Sequence, residues 1–149
     1  IFIRVDPMHR PTPCVGICST TYGDLVCRGC KRFAHEIVEW NGYDESQRAV
    51  VGRRLMELRE GAVNTILTDK QLAVLSDRAA QMRVIGAADM SAATLAYETL
   101  RCLARYPAHP ALPDSGRADT PRILLERVDR EFYARSLAVF ERSFKVPVQ

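Results

Sequence analysis

The chain has 149 residues, of which 47% are hydrophobic and 26% are charged. That length suits one compact domain, or one domain with a small appended module, and the apolar content excludes wholesale disorder. No segment approaches the roughly 20 consecutive apolar residues that a membrane-spanning helix needs, so we expect no membrane span. The net charge of +3 comes without a basic tail or block, which disfavours a dedicated nucleic-acid binder.

The order of sequence features predicts three regions. Residues 1–13 carry three prolines and are predicted to form an extended arm. A four-cysteine metal-binding module with its following helices is predicted over residues 14–60. A helical domain is predicted over residues 61–149, with a proline-rich break at 107–121. The expected fold class is therefore mainly α, with an N-terminal four-cysteine metal knuckle followed by a small helical bundle.

Helix signals dominate after the cysteines. Phe33, Ile37 and Trp40 follow the i, i+4, i+7 spacing of a short amphipathic helix. We expect the next helix to end at Gly61 and the last helix to end near Phe144. A small hairpin at residues 22–24 is the one β feature that the sequence suggests. The later helix starts are predicted at capping signatures: Asp44 with Gln47, Thr68 with Gln71, Ser91, and Thr120 with Pro121.

The strongest chemical signal is a cluster of four cysteines with the spacing C-x3-C-x8-C-x2-C. In a C-x2-C turn, two thiolates converge on one ion while backbone amides point at the first sulfur. We expect a left-handed conformation at Gly29 and tight bends at Gly16 and at Gly23, because glycine adopts them without steric cost. The predicted metal ligands are Cys14, Cys18, Cys27 and Cys30.

This clustering favours metal ligation in the reducing cytoplasm over a secreted disulfide scaffold. The chain begins at Ile1 rather than Met, so the sequence leaves open a removed targeting segment upstream. Four thiolates on a divalent ion leave a charge of about −2, which Arg28, Lys31 and Arg32 are placed to balance. A role of the same three cations in phosphate contact is less favoured than this charge compensation. Closed four-thiolate sites hold zinc or an iron–sulfur cluster, and the spacing leaves both open.

Residues 12–58 resemble a known bacterial family. The segments Pro13-Cys14-Val15-Gly16-Ile17-Cys18, Cys27-Arg28-Gly29-Cys30, and Glu36-Ile37-Val38-Glu39-Trp40 are similar to those of small YdhL-like proteins. Gln47-Arg48 and Arg53-Arg54 fit the arginine-rich helix of that family. The family is a domain of unknown function, commonly labelled a predicted iron–sulfur protein. The resemblance implies the four cysteines as ligands and implies no activity.

The rest of the sequence favours a non-enzymatic role. It contains no recognisable catalytic motif, and four protein ligands leave a metal no open position for catalysis. Cys102 is expected to pack in a helical face, and His35 to be an exposed helix residue. The favoured function is a metal-binding accessory protein that contacts a larger protein partner.

Two alternatives stay open. One is a small iron–sulfur electron carrier or sensor. The other is an RNA- or DNA-binding protein of the zinc-knuckle kind, using Arg28, Lys31, Arg32, Arg53 and Arg54, with Arg48 beside them. The sequence does not indicate the oligomeric state.

Overall fold

A computed structural model of the chain describes residues 12–16, 18–82, 84, 86–105, 112 and 119–144. Within these residues the fold is mainly α, as predicted, and no β-strand is formed there beyond an isolated antiparallel bridge between Val26 and Phe33. Most of the predicted arm and of the proline-rich break lies outside the described residues. The α-helices are α1 (Ala34–Glu39), α2 (Glu45–Ile66), α3 (Asp69–Gln81), α4 (Ala92–Ala104) and α5 (Pro121–Phe144).

The predicted capping signatures form the expected hydrogen bonds. Asp44 Oδ1 accepts from the backbone N–H of Gln47 at 2.8 Å, and Gln47 Oε1 accepts from the N–H of Asp44 at 2.9 Å. Thr68 and Gln71 make the same reciprocal pair at 3.2 and 3.0 Å. The remaining caps are side-chain oxygens that accept from an N–H three residues later: Ser91 at 3.1 Å and Thr120 at 3.3 Å.

Two local predictions were wrong. Helix α2 continues through Gly61 to Ile66, because Ala62 and Val63 directly after it are fully buried. Their burial offsets the cost of about 1 kcal/mol for a glycine inside a helix. The suggested hairpin is instead a 3-10 helix over Ser19–Tyr22, which Gly23 ends in the left-handed conformation at φ 98°.

The chain divides into two compact units. The first comprises the described residues between 59 and 130. Its interior includes Leu75, Leu100, Leu124 and Val128, each fully buried. Cys102 packs, partly buried, against Ala79 and Val84, which agrees with its predicted packing role.

A buried polar network ties helices of this first unit together. The Tyr97 hydroxyl donates to Asp129 Oδ1 at 2.8 Å, and the Arg59 guanidinium lies 4.9 Å from the centre of the Tyr97 ring. Arg59 and Arg101 both pair with the buried Glu98, at 3.7 and 3.3 Å. Buried carboxylates of this kind are stable only when they are paired.

The second unit comprises residues 11–58 and 131–149 and contains all four predicted ligand cysteines. Its interior includes Val26, Phe33, Val51, Leu55 and Phe132. An aromatic cluster joins the start of α1 to the end of α5, with ring centroids 5.1–5.8 Å apart: Phe33, His35, Phe140 and Phe144. No helix among the described residues is long and apolar enough to cross a membrane.

Candidate metal centre

The turn that carries Cys27 and Cys30 is closed by backbone hydrogen bonds. The N–H of Lys31 donates to the carbonyl of Cys27 at 2.8 Å, and the N–H of Cys27 donates to the carbonyl of Arg32 at 2.9 Å. The bridge between Val26 and Phe33 continues this pairing outward. The chain therefore reverses direction between the two cysteines and holds both on one compact loop.

The left-handed residue of this turn is Lys31, with φ 63°, and the predicted left-handed conformation of Gly29 was wrong. The strain of a non-glycine residue there is about 1–2 kcal/mol. Contacts of the Lys31 side chain offset it, because this side chain is buried, donates from Nζ to the Gly29 carbonyl at 2.9 Å, and lies 5.1 Å from the centre of the Phe132 ring. The sequence could not predict that Lys31 rather than Gly29 adopts the left-handed conformation, because the contact between Lys31 and Phe132 joins residues far apart in the chain.

The Cys27 sulfur is surrounded by hydrogen-bond donors. Burial raises the pKa of the Cys27 thiol, but backbone hydrogen bonds from Cys30, Ser19 and Gly29 outweigh it and bring the pKa to about 7. Amides aimed at the first sulfur of a C-x2-C turn are the arrangement predicted from the spacing. They favour the thiolate, which is the form that binds metals.

The Cys30 side chain is also buried and has a cationic neighbour. Burial raises the pKa of the Cys30 thiol, while the hydrogen bond from Arg32 lowers it in part. Arg32 Nε donates to Cys30 Sγ at 3.3 Å. Arg32 thus makes the hydrogen bond to sulfur that was predicted for the basic cluster.

The first cysteine pair lies on a less buried segment. Cys14 is exposed, and its Sγ accepts from the N–H of Gly16 at 3.3 Å, where Gly16 has φ 92° as expected for a tight bend. The Sγ of Cys18 lies 2.9 Å from Thr20 Oγ1. Each of the four sulfurs therefore has a hydrogen-bond partner two residues later in the chain.

Ser19 connects the two cysteine pairs. It directly follows Cys18, its backbone hydrogen-bonds to Cys27, and its Oγ accepts from the N–H of Arg28 at 2.8 Å. Sequence reasoning missed this residue. A serine next to a cysteine carries no distinctive signal, because its partners are set by how the loop closes.

The described residues do not bring three or more histidine, cysteine, aspartate or glutamate side chains into a group that could hold a metal ion. The four-sulfur ligand set therefore stays a prediction. His35 is exposed, and its ring lies against Phe33 and Phe144 at 5.8 and 5.1 Å between centroids. The donor set nevertheless fits a soft metal or cluster, because its four members are cysteines whose sulfurs accept or share hydrogen bonds.

The basic residues predicted near the site are mostly engaged within the chain. Arg28 pairs with Asp24 at 3.2 Å and lies 4.7 Å from the centre of the Tyr133 ring. Arg54 makes two hydrogen bonds with the carboxylate of Glu36, at 2.5 and 2.8 Å. Arg53 is exposed.

Glu36 was overlooked as an organising residue. It is 4% exposed and also accepts from the N–H of Phe33 through Oε1 at 2.9 Å. The sequence indicates one part of this role, because a glutamate at the third residue of a helix can cap the start of that helix. The ion pair with Arg54 of α2 depends on tertiary packing and has no sequence signature.

Residues 12–59 match the model of a family described as a protein of unknown function (DUF1289). The matched region is therefore similar to an uncharacterised family, and it coincides with the region where the family resemblance lies. No curated protein and no solved structure matches the chain. The YdhL-like label itself stays a prediction.

Proposed function

We propose that this chain is a non-enzymatic, metal-binding accessory protein that acts in the cytoplasm through contacts with a larger protein partner. Cys14, Cys18, Cys27 and Cys30 hold its metal centre, which is zinc or an iron–sulfur cluster. The observation that supports this proposal best is the Cys27–Cys30 turn. Three backbone groups hydrogen-bond to the first sulfur there, and Arg32 donates to the second.

The loops between the cysteines explain why this region would need a metal. Val15, Tyr22 and Leu25 are exposed rather than packed in a core. When bound, the metal cross-links the two cysteine pairs and supplies stability that such loops do not obtain from apolar burial. The residues of the chain hold the sulfurs in place, since Ser19 contacts Cys27 and Arg28 on the opposite loop.

The contacts of the basic residues disfavour the nucleic-acid alternative. Nucleic-acid binding depends on several cations that face phosphates at once. Here Lys31 is 3% exposed, Arg28 pairs with Asp24, and Arg54 pairs with Glu36. The carboxylates beside Arg28 and Arg54 offset part of the positive charge that would attract a phosphate.

The central experiment is elemental analysis with a visible spectrum on anaerobically purified protein. A colourless sample with one zinc per chain supports the accessory role and rejects the redox alternative. A brown sample with a reducible visible band supports an iron–sulfur cluster as the metal centre and favours the carrier or sensor role over the accessory role. A sample with neither zinc nor iron refutes the proposed metal centre.

The ligand assignment is tested with matched variants in the same preparation. Cys27→Ser is expected to lose most of the bound metal, because a hydroxyl is a poor ligand for a soft ion. Cys102→Ser is the control, since it makes the same chemical change at a site far along the chain. Equal metal content in the two variants would contradict the assignment. Binding of RNA at low salt that is lost in an Arg53→Ala/Arg54→Ala variant would favour the nucleic-acid alternative.

A further inference from the structure

An open pocket of about 410 Å³ lies beside the single tryptophan of the chain. This volume is within the range of small-molecule and side-chain binding pockets, roughly 300–1,000 Å³. Among the described residues that line it, the two charged ones are arginines and none is a carboxylate. The described lining residues lie in the unit that carries the cysteines: Thr12, Arg32, Ile37, Trp40, Asn41 and Arg48.

Two guanidinium groups lie against the Trp40 ring in this pocket. The Cζ atoms of Arg32 and Arg48 are 4.7 and 5.5 Å from the ring centre. Arg48 is fixed in place because its Nε and Nη2 donate to the Trp40 carbonyl at 3.2 and 3.0 Å. Arg32 is fixed because its Nε donates to Cys30 Sγ at 3.3 Å.

These contacts leave donors of both arginines available to a ligand. A guanidinium has five N–H donors. Among the described residues, Arg32 uses its Nε and Arg48 its Nε and Nη2 in side-chain hydrogen bonds. Arg32 is also 4% exposed, and the low local dielectric around a buried group strengthens a charge-assisted hydrogen bond made there. An anion that enters the pocket could accept hydrogen bonds from both guanidinium groups.

We propose that this pocket binds a carboxylate from an acidic segment of a partner protein. The planar fork of a guanidinium matches the two oxygens of a carboxylate. Ile37 and the Trp40 ring provide apolar walls for the methylene stem of a glutamate or for a neighbouring aliphatic side chain. The inference rests on the proposed accessory function, since it names the chemistry of the partner that this function requires.

The pocket fits an acidic peptide better than a nucleic acid. A nucleic-acid backbone presents a row of phosphates and is bound by a matching row of cations. Outside the pocket, Arg28 and Arg54 are paired with Asp24 and Glu36, whose negative charges offset theirs. Two cations in one pocket with an aromatic floor form a single anion site.

The test uses the fluorescence of Trp40, because this residue is the one tryptophan in the sequence and lies in the pocket. The full-length protein is titrated with acetyl-Leu-Glu-Leu-Glu-amide, with the glutamine version of the same peptide, and with a uridine decamer. We expect a saturable change with the glutamate peptide. The glutamine peptide and the decamer are expected to bind at least about tenfold more weakly, since they lack the charge-assisted carboxylate pair.

Variants assign the binding to the pocket. Arg48→Gln is expected to weaken binding of the glutamate peptide on the order of tenfold or more. Arg142→Gln is the matched control, because it removes the same charge from an exposed position near the end of α5 and should leave binding unchanged. Equal effects of the two variants would overturn the proposal, as would tighter binding of the decamer than of the glutamate peptide.

Two further measurements keep the outcome unambiguous. If Arg48→Gln loses its far-UV circular dichroism spectrum, Arg48→Lys replaces it, since lysine keeps the charge without the planar fork. If Arg48→Lys bound the glutamate peptide as tightly as the wild type, recognition of the carboxylate by the planar fork of Arg48 would be overturned. Metal content is measured in the same samples. Peptide binding without metal would refute the proposed metal centre and leave the pocket supported, whereas metal without peptide binding would refute the pocket alone.

Discussion

The ion pair between Glu36 and Arg54 is expected to be a main support of the cysteine-bearing unit. The two side chains are 5% and 22% exposed and meet at 2.5 Å. Arg54 also lies 4.0 Å from the centre of the Phe33 ring. Replacing Arg54 with glutamine would leave the Glu36 carboxylate buried beside a neutral amide and remove the guanidinium from the ring.

The geometry sets the size of the effect. Breaking a buried ion pair by removing one partner costs about 3–5 kcal/mol of folding free energy. We expect the destabilisation by Arg54→Gln to lie near the lower end of this range, about 3 kcal/mol, because glutamine can still donate one hydrogen bond to Glu36. Glu36→Gln should cost less, about 1–2 kcal/mol, because Arg54 is more exposed and water can solvate it.

The assay is urea unfolding followed by Trp40 fluorescence, with all variants at the same metal loading. Arg53→Gln is the control, since it removes the same charge from the neighbouring exposed position and should change stability by less than about 0.5 kcal/mol. The Glu36→Gln/Arg54→Gln double variant should show a coupling free energy of at least about 1 kcal/mol. Additive single effects, or an Arg54→Gln protein as stable as the control, would refute the reasoning.

Three more predictions concern other parts of the chain. Tyr97→Phe should cost about 1–2 kcal/mol because it leaves Asp129 without the hydroxyl. Burial and Asp129 raise the pKa of Tyr97 above its ordinary value of 10.0. The contribution of the Tyr97 hydroxyl to folding stability is therefore present below pH 10 and is lost at higher pH. The stability difference between the wild type and Tyr97→Phe should shrink at that higher pH, and a constant difference would contradict this. Cys102→Ser should lose about 1 kcal/mol by thermal unfolding and keep its metal, whereas metal loss would implicate Cys102 in the centre. Phe132→Ala should cost about 3 kcal/mol or more in urea unfolding, because it opens a cavity beside Lys31, and an effect below about 1 kcal/mol would show that this contact is not needed.

The sequence determined those features that depend on residues close together in the chain. Helix starts follow from a side chain that reaches an amide three residues away, so Asp44 with Gln47 and Thr68 with Gln71 were predictable. The bends at Gly16 and Gly23 follow from conformations that other residues rarely adopt. The hydrogen-bonded Cys27–Cys30 turn follows from a two-residue spacing. In each case the partners are fixed by local geometry before any tertiary contact forms.

Only the tertiary structure decided which distant residues support the candidate site. The cysteine-bearing unit includes residues 131–149, where Phe132 and Tyr133 contact Lys31 and Arg28. The ion pair of Arg54 with Glu36 and the pairing of Arg32 and Arg48 at Trp40 likewise join separate elements. A cation has the same sequence signal whether it faces solvent, a carboxylate or a ring. Its partner is decided by packing, which the order of residues does not disclose.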